Sequence, residues 1–256
     1  MRLRQREEKG ESRKPPAIDR LAIWISTSRN VDGLWLGTTE SKPHPALRRV
    51  EAALQLIKHH DRLQYGRVIR CLERIWVHLI PSALAHYDPH LKACVLDERF
   101  VLSETTTPER IASTIVHEAT HARMDRWGIS YIDEKRRPRI EAICLRRELS
   151  FVAKLSGTAA LQEEIARTLE WCASDGDYFS NVSFQQREQQ GLLETARYAG
   201  IPEWLVKLSL RLRTIVALAK RVTQHMFARN NTRRDEISSV FTAKKCPQQE
   251  KCSTSG

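Results

Sequence analysis

The five residues His117-Glu118-Ala119-Thr120-His121 constrain this chain more than any others, because they lie inside a segment signposted at both ends. Thr107 reads as an N-cap, Pro108 as the first helical residue, Glu109 as a first-turn acid and Gly128 as the residue that ends the helix. The spacing predicts a helix over about 108–127. On it Ile111, Ala112, Ile115, Val116, Ala119 and Ala122 fall in one apolar arc, while Arg110, Thr114, His117, His121 and Asp125 share another face. One side packs, and the other is free for chemistry.

Residues i and i+4 of a helix stand on one face about 6 Å apart, so both imidazoles can bind one zinc ion through ring nitrogens at about 2.0–2.1 Å. Glu118 is rotated from that face by roughly one 100° step, which sets its carboxylate beside the ion rather than on it. A general base belongs there. Zinc lowers the pKa of its water towards about 7, and Glu118 is placed to take the proton as the water attacks a polarised carbonyl. The plain alternative is an amphipathic helix whose histidines are merely solvated.

Catalytic zinc takes three protein ligands and keeps one position for water, so a third donor must come from beyond His121. Asp125 lies one turn further along the same rod, about 12 Å from the level of His117, and suits a hydrogen-bond acceptor behind a histidine better than a ligand. Asp133 and Glu134 sit in a polar connection, Ser130-Tyr131-Ile132-Asp133-Glu134-Lys135, which would hold a ligand loosely. Glu141 is the stronger candidate. Pro138 can open a second helix through Ile140, Ala142, Ile143, Leu145 and Leu149, which would fold back antiparallel to the first with Glu141 facing the metal.

With these residues the chain resembles the gluzincin group of zinc metallopeptidases, typified by thermolysin: H-E-x-x-H, nineteen residues, then Glu141. The resemblance covers about residues 105 to 145. It implies zinc ligands His117, His121 and Glu141, Glu118 as base, and a zincin-like active-site helix beneath a small antiparallel sheet whose edge strand takes substrate as an added strand. Where thermolysin has an aspartate four residues after the glutamate ligand this chain has Leu145, so Asp125 or Glu148 would have to support a histidine. No residue is assigned as the oxyanion stabiliser; Tyr131 and His225 come nearest. More loosely, the run from Cys94 to Ile143 resembles bacterial chains described only as metallopeptidases.

The formal charge of +11 invites nucleic acid as a partner, because a basic face gains affinity by releasing counterions. Its distribution argues against that. Residues 1–14 hold six basic and three acidic side chains, residues 229–256 hold the same, and the remaining excess is spread beside acids. The one compact cluster, Lys135-Arg136-Arg137-Pro138-Arg139, either favours acidic groups near the cleft or is a solvated helix start. The most apolar run, Trp204 to Ala219, is broken by Lys207, Arg211 and Arg213, so no transmembrane span is expected. Nor does an apolar core follow the basic N-terminus as in a secretory signal. Cys71, Cys94, Cys144, Cys172, Cys246 and Cys252 form no C-x-x-C pair and read as reduced thiols, which makes the cytoplasm the default compartment.

The fold class expected is α+β and predominantly helical, with a C-terminal helical bundle. Residues 1–16 read as a flexible leader, 17–228 as a single zincin-like domain and 229–256 as a polar tail. Strands are expected at 21–25 and 34–36, at 76–80, and as a hairpin of 93–96 with 100–102 about Asp97-Glu98. Helices are expected at about 138–155, 158–173, 184–199 and 202–228. His44, His59, His60 and His78 lack a partner at ligand spacing, His86 and His90 are four apart but Pro89 between them argues against the helix that would align them, and the tryptophans, Trp24, Trp127 and Trp171 among them, read as packing residues. The function expected is peptide-bond hydrolysis by a zinc-activated water, on a peptide or protein substrate. The alternatives are a catalytically inactive zincin-like scaffold binding protein or nucleic acid through a basic surface, and zinc-dependent hydrolysis of another electrophile.

Overall fold

The computed structural model describes residues 17–205 apart from 41, 82, 130, 132, 175, 176, 199 and 203. The chain divides into two compact units, Met1–Tyr198 and Ala199–Gly256, and the architecture below is that of the first. The expected leader, the expected helix at 202–228 beyond its first residues, His225 and the expected tail lie outside the described residues.

The chain enters through α1 (Ala17–Ile25) and a hairpin, β1 (Thr27–Val31) and β2 (Leu34–Thr38). Its two-residue turn places Asp32 at φ 50° and Gly33 at φ 88°, the left-handed pair that matches strand twist, and Asn30 accepts from the Gly33 N–H at 2.9 Å. Two helices follow, α2 (Pro45–His60) and α3 (Arg62–Cys71), joined at Asp61, whose carboxylate caps α3 by accepting from Gln64 N–H. Next come β3 (Arg74–His78), β4 (Ala85–Asp88), β5 (Ala93–Asp97) and the short α4 (Glu98–Leu102). The sheet order is β1-β2-β3-β5-β4.

The helical crossover α2–α3 returns the chain from β2 to start β3, and the antiparallel edge strand β4 returns it from β3 to start β5, so β2, β3 and β5 run parallel; only β1 and β4 are antiparallel to their neighbours. The α+β, predominantly helical architecture is therefore present with a mixed sheet in place of a wholly antiparallel one. Alternation along the strands decides which side chain faces which layer. Leu34, Leu36, Ile75, Val77, Cys94 and Leu96 join the main core, while Trp35, Trp76, Ala93 and Val95 form a second cluster with Ala22 and Ile23 of α1.

Two strand expectations fail for local reasons. Residues 21–25 are helical, because a short apolar run carries no period that separates strand from helix, and the first hairpin arm is 27–31 instead. Residues 98–102 are also helical, because the Asp97 carboxylate accepts from the N–H groups of Arg99 and Phe100 and starts a helix there.

The long helix α5 (Pro108–Arg126) is capped by Thr107, which accepts from Arg110 N–H at 3.2 Å. It ends at Gly128, φ 74°, with Gly128 N–H donating to Asp125 and Ile129 N–H to Met124, a Schellman closure. Ile111 and Ile115 are wholly buried, and each contributes about 1.5–3 kcal/mol, which fixes the rotation of α5 against the core. Then come α6 (Arg137–Val152), α7 (Ala159–Ser174) and α8 (Asn181–Tyr198). Trp24 and Trp127 are exposed rather than packed in a core; Trp127 carries the Arg123 guanidinium 4.3 Å from its ring centre. Among the described residues no helix is long and apolar enough to cross a membrane.

Burial, with the charge of His86 beside it, pushes the His78 ring down to about 4. The unfolded ring, with its ordinary value of 6.5, then holds a proton that the folded ring releases, so stability is lost as pH falls through that interval. Thermal unfolding should show a fall in Tm from about pH 7 to about pH 5 that is smaller in His78→Gln; equal falls would contradict this.

Candidate metal centre

The site is made where α5 lies against α6. From α5, His117 and His121 present their Nε2 atoms 3.2 Å apart. From α6, Glu141 places Oε2 at 3.3 Å from His117 Nε2 and Oε1 at 3.4 Å from His121 Nε2. Asp133 and Glu134 are engaged elsewhere: Asp133 caps a single helical turn by accepting from Lys135 N–H, and Glu134 accepts from the backbone and side chain of Asn181.

Behind His117 stands Glu148, two turns beyond Glu141 on the same face of α6, with Oε2 3.0 Å from His117 Nδ1. A carboxylate there accepts a hydrogen bond from Nδ1–H, the arrangement that turns Nε2 towards a metal ion. Asp125 does not serve this purpose; it accepts from the Tyr87 hydroxyl at 3.2 Å and ties β4 to α5. Replacing an outer partner of this kind weakens metal affinity about 10–100-fold, and that loss is the expected outcome for Glu148→Gln in a zinc-competition titration.

Tyr131 falls in a polar connection with no period, so its sequence position does not mark it as a site residue. Its ring stacks edge-on against His121 at 5.3 Å, and its hydroxyl is hydrogen-bonded to Glu141. Burial, then the Glu141 charge, raises the phenol far above its ordinary range, so it keeps its proton and donates. Cys144, one turn past Glu141, is also at the centre: its Sγ and the two histidine nitrogens lie within 4.8 Å of one another. Burial and then the carboxylates of Glu141, Glu118 and Glu148 hold its thiol well above the usual range. Among the described residues this is the one trio of His, Cys, Asp or Glu donors grouped so closely with sulfur.

Glu118 is 6 % exposed, and among the described residues it makes no hydrogen bond or ion pair. Its charge nonetheless reaches His117, Cys144 and Tyr131. For His117, burial opposes the proton, but the hydrogen bonds its ring donates to Glu141 and Glu148 outweigh it and raise the ring well above its ordinary value. Burial would raise Glu141 too, yet the two imidazoles hold its carboxyl far below the usual range.

Two properties of this donor set suit a divalent cation. Ligands about 2.0–2.1 Å from a tetrahedral ion stand about 3.3–3.4 Å from one another; here the two imidazole nitrogens are 3.2 Å apart, and each faces a different oxygen of Glu141, at 3.3 and 3.4 Å. Three carboxylates, Glu118, Glu141 and Glu148, surround two imidazoles, an excess of negative charge that a cation compensates. The cluster Lys135-Arg136-Arg137-Pro138-Arg139 splits in role. Arg137 is buried, donating to the Tyr131 and Phe179 carbonyls and to Asn181 Oδ1, whereas Arg136 pairs with Asp133 at the surface. Compared with protein-family models, curated proteins and solved structures, the chain finds no match in any of the three.

Proposed function

We propose that the chain is a zinc-dependent metallopeptidase. The observation that carries this reading is the convergence of His117, His121 and Glu141, whose facing nitrogen and oxygen atoms lie 3.2 to 3.4 Å apart, beside Glu118, a carboxylate whose side chain is not otherwise engaged among the described residues. Zinc held by those three residues would supply Lewis acidity and lower the pKa of an attacking water towards about 7.

The chain's own residues supply the remainder. Glu118 accepts the proton of that water as it attacks the carbonyl carbon, and returns it to the departing amine nitrogen. Glu148 keeps His117 in the tautomer that presents Nε2. The Tyr131 phenol, still protonated at neutral pH, holds Glu141. Substrate can be met at β4, the sheet edge tied to α5 by the Tyr87–Asp125 hydrogen bond; an extended peptide would pair there by main-chain hydrogen bonds.

The test is hydrolysis of a peptide library by zinc-loaded and chelator-stripped protein. Cleavage that disappears on stripping and returns with zinc is the expected result. A zinc-loaded protein that cleaves no peptide, or cleavage indifferent to chelation, would overturn the reading.

A further inference from the structure

One flank round from the metal face, α3, α5 and α6 border a shallow notch of about 10 Å3, lined by Arg67 and Val68 of α3, Val116, Ala119 and Arg123 of α5 and Arg147 of α6. We propose that this notch binds a single phosphate-class oxyanion through Arg67, Arg123 and Arg147. The proposal does not depend on the zinc reading.

Each of the three helices contributes one guanidinium, and among the described residues none of the three forms an ion pair, although twelve ion pairs occur elsewhere. The acid that acts on Arg67, Asp61, is already engaged by Lys154 at 2.5 Å and by the N-terminus of α3. Three like charges thus line one notch with no ion-pair partner among the described residues, and the one acid that acts on Arg67 is shared with Lys154. Burial, then the charges of Arg123 and Arg147, lower the pKa of Arg67, the direction expected where cations crowd one another.

The guanidiniums are also held in place. Arg67 donates to Gln64 Oε1 at 2.8 Å, and Arg123 lies over the Trp127 ring. Val68, Val116 and Ala119 give the notch an apolar floor, where charge-assisted hydrogen bonds are less screened. Forked N–H groups match the oxygens of a tetrahedral anion, and Arg is preferred to Lys for such recognition. The ligand class follows from the arrangement: the three cations line one small notch instead of forming a row along an extended groove, so one phosphate group suits them better than a polynucleotide backbone.

Occupancy would remove the repulsion between the helix carrying His117 and His121 and the helix carrying Glu141 and Glu148. A ligand of the folded state raises stability by mass action, so binding should be visible in Tm as well as in heat. The experiment uses the full chain with inorganic phosphate at constant ionic strength set by chloride, read by isothermal titration calorimetry and thermal unfolding. Expected are saturable one-to-one binding and a rising Tm. Arg147→Gln, at an exposed position, and Arg67→Gln should each weaken phosphate affinity about tenfold or more without lowering the unfolding temperature in chloride alone. Absence of saturable binding would overturn the proposal, as would an affinity unchanged in Arg147→Gln. So would a single-stranded oligonucleotide that binds with steep salt dependence through Arg147 while phosphate does not.

Discussion

Glu118→Gln is expected to retain stoichiometric zinc and the wild-type unfolding temperature while peptide hydrolysis falls by about 10²–10⁴-fold, the range of general acid–base contributions. The amide has nearly the shape of the carboxylate but cannot take a proton. Because Glu118 makes no hydrogen bond or ion pair among the described residues, the exchange breaks no contact that supports the fold. Metal content, Tm and initial rate measured on one preparation separate the possibilities. A rate that survives would remove Glu118 from the chemistry, and a loss of zinc would make it a ligand.

Glu141→Gln has the larger effect on the metal. The side chain faces both Nε2 atoms, at 3.3 and 3.4 Å, so its charge is shared across the donor set in a way that Glu148, touching only Nδ1 of one ring, is not. Zinc affinity should fall by more than the about 100-fold upper bound for an outer partner. Cys144→Ser is the companion measurement. The thiol is near enough to be a rival third donor, but its raised pKa opposes the thiolate that zinc requires. If Cys144→Ser loses zinc while Glu141→Gln keeps it, the donor set is two imidazoles and a sulfur.

Much of this centre is legible in the order of residues. Thr107, Pro108 and Gly128 mark the ends of α5 within about two residues, and the i, i+4 spacing of His117 and His121 places them on one face. Glu141 follows from Pro138 opening α6 and from the short connection that turns it back. What stays hidden depends on the angle at which α6 crosses α5. Glu148 and Asp125 are equal candidates for supporting a histidine until packing puts one behind His117 and the other under Tyr87. Tyr131 belongs to no periodic element, and Cys144 looks like any apolar helix residue. The sheet is hidden differently: β4, Ala85–Asp88, has a mixed burial pattern with no alternation strong enough to announce a strand.

X-ray absorption at the zinc edge of the zinc-loaded full chain identifies the donors, because nitrogen and oxygen at about 2.0–2.1 Å are distinct from sulfur at about 2.3 Å. Expected are nitrogen and oxygen donors only, with the scattering of two imidazoles, and a changed donor set in Glu141→Gln. A sulfur donor in the wild type, or fewer than two imidazoles, would contradict a centre built from His117, His121 and Glu141.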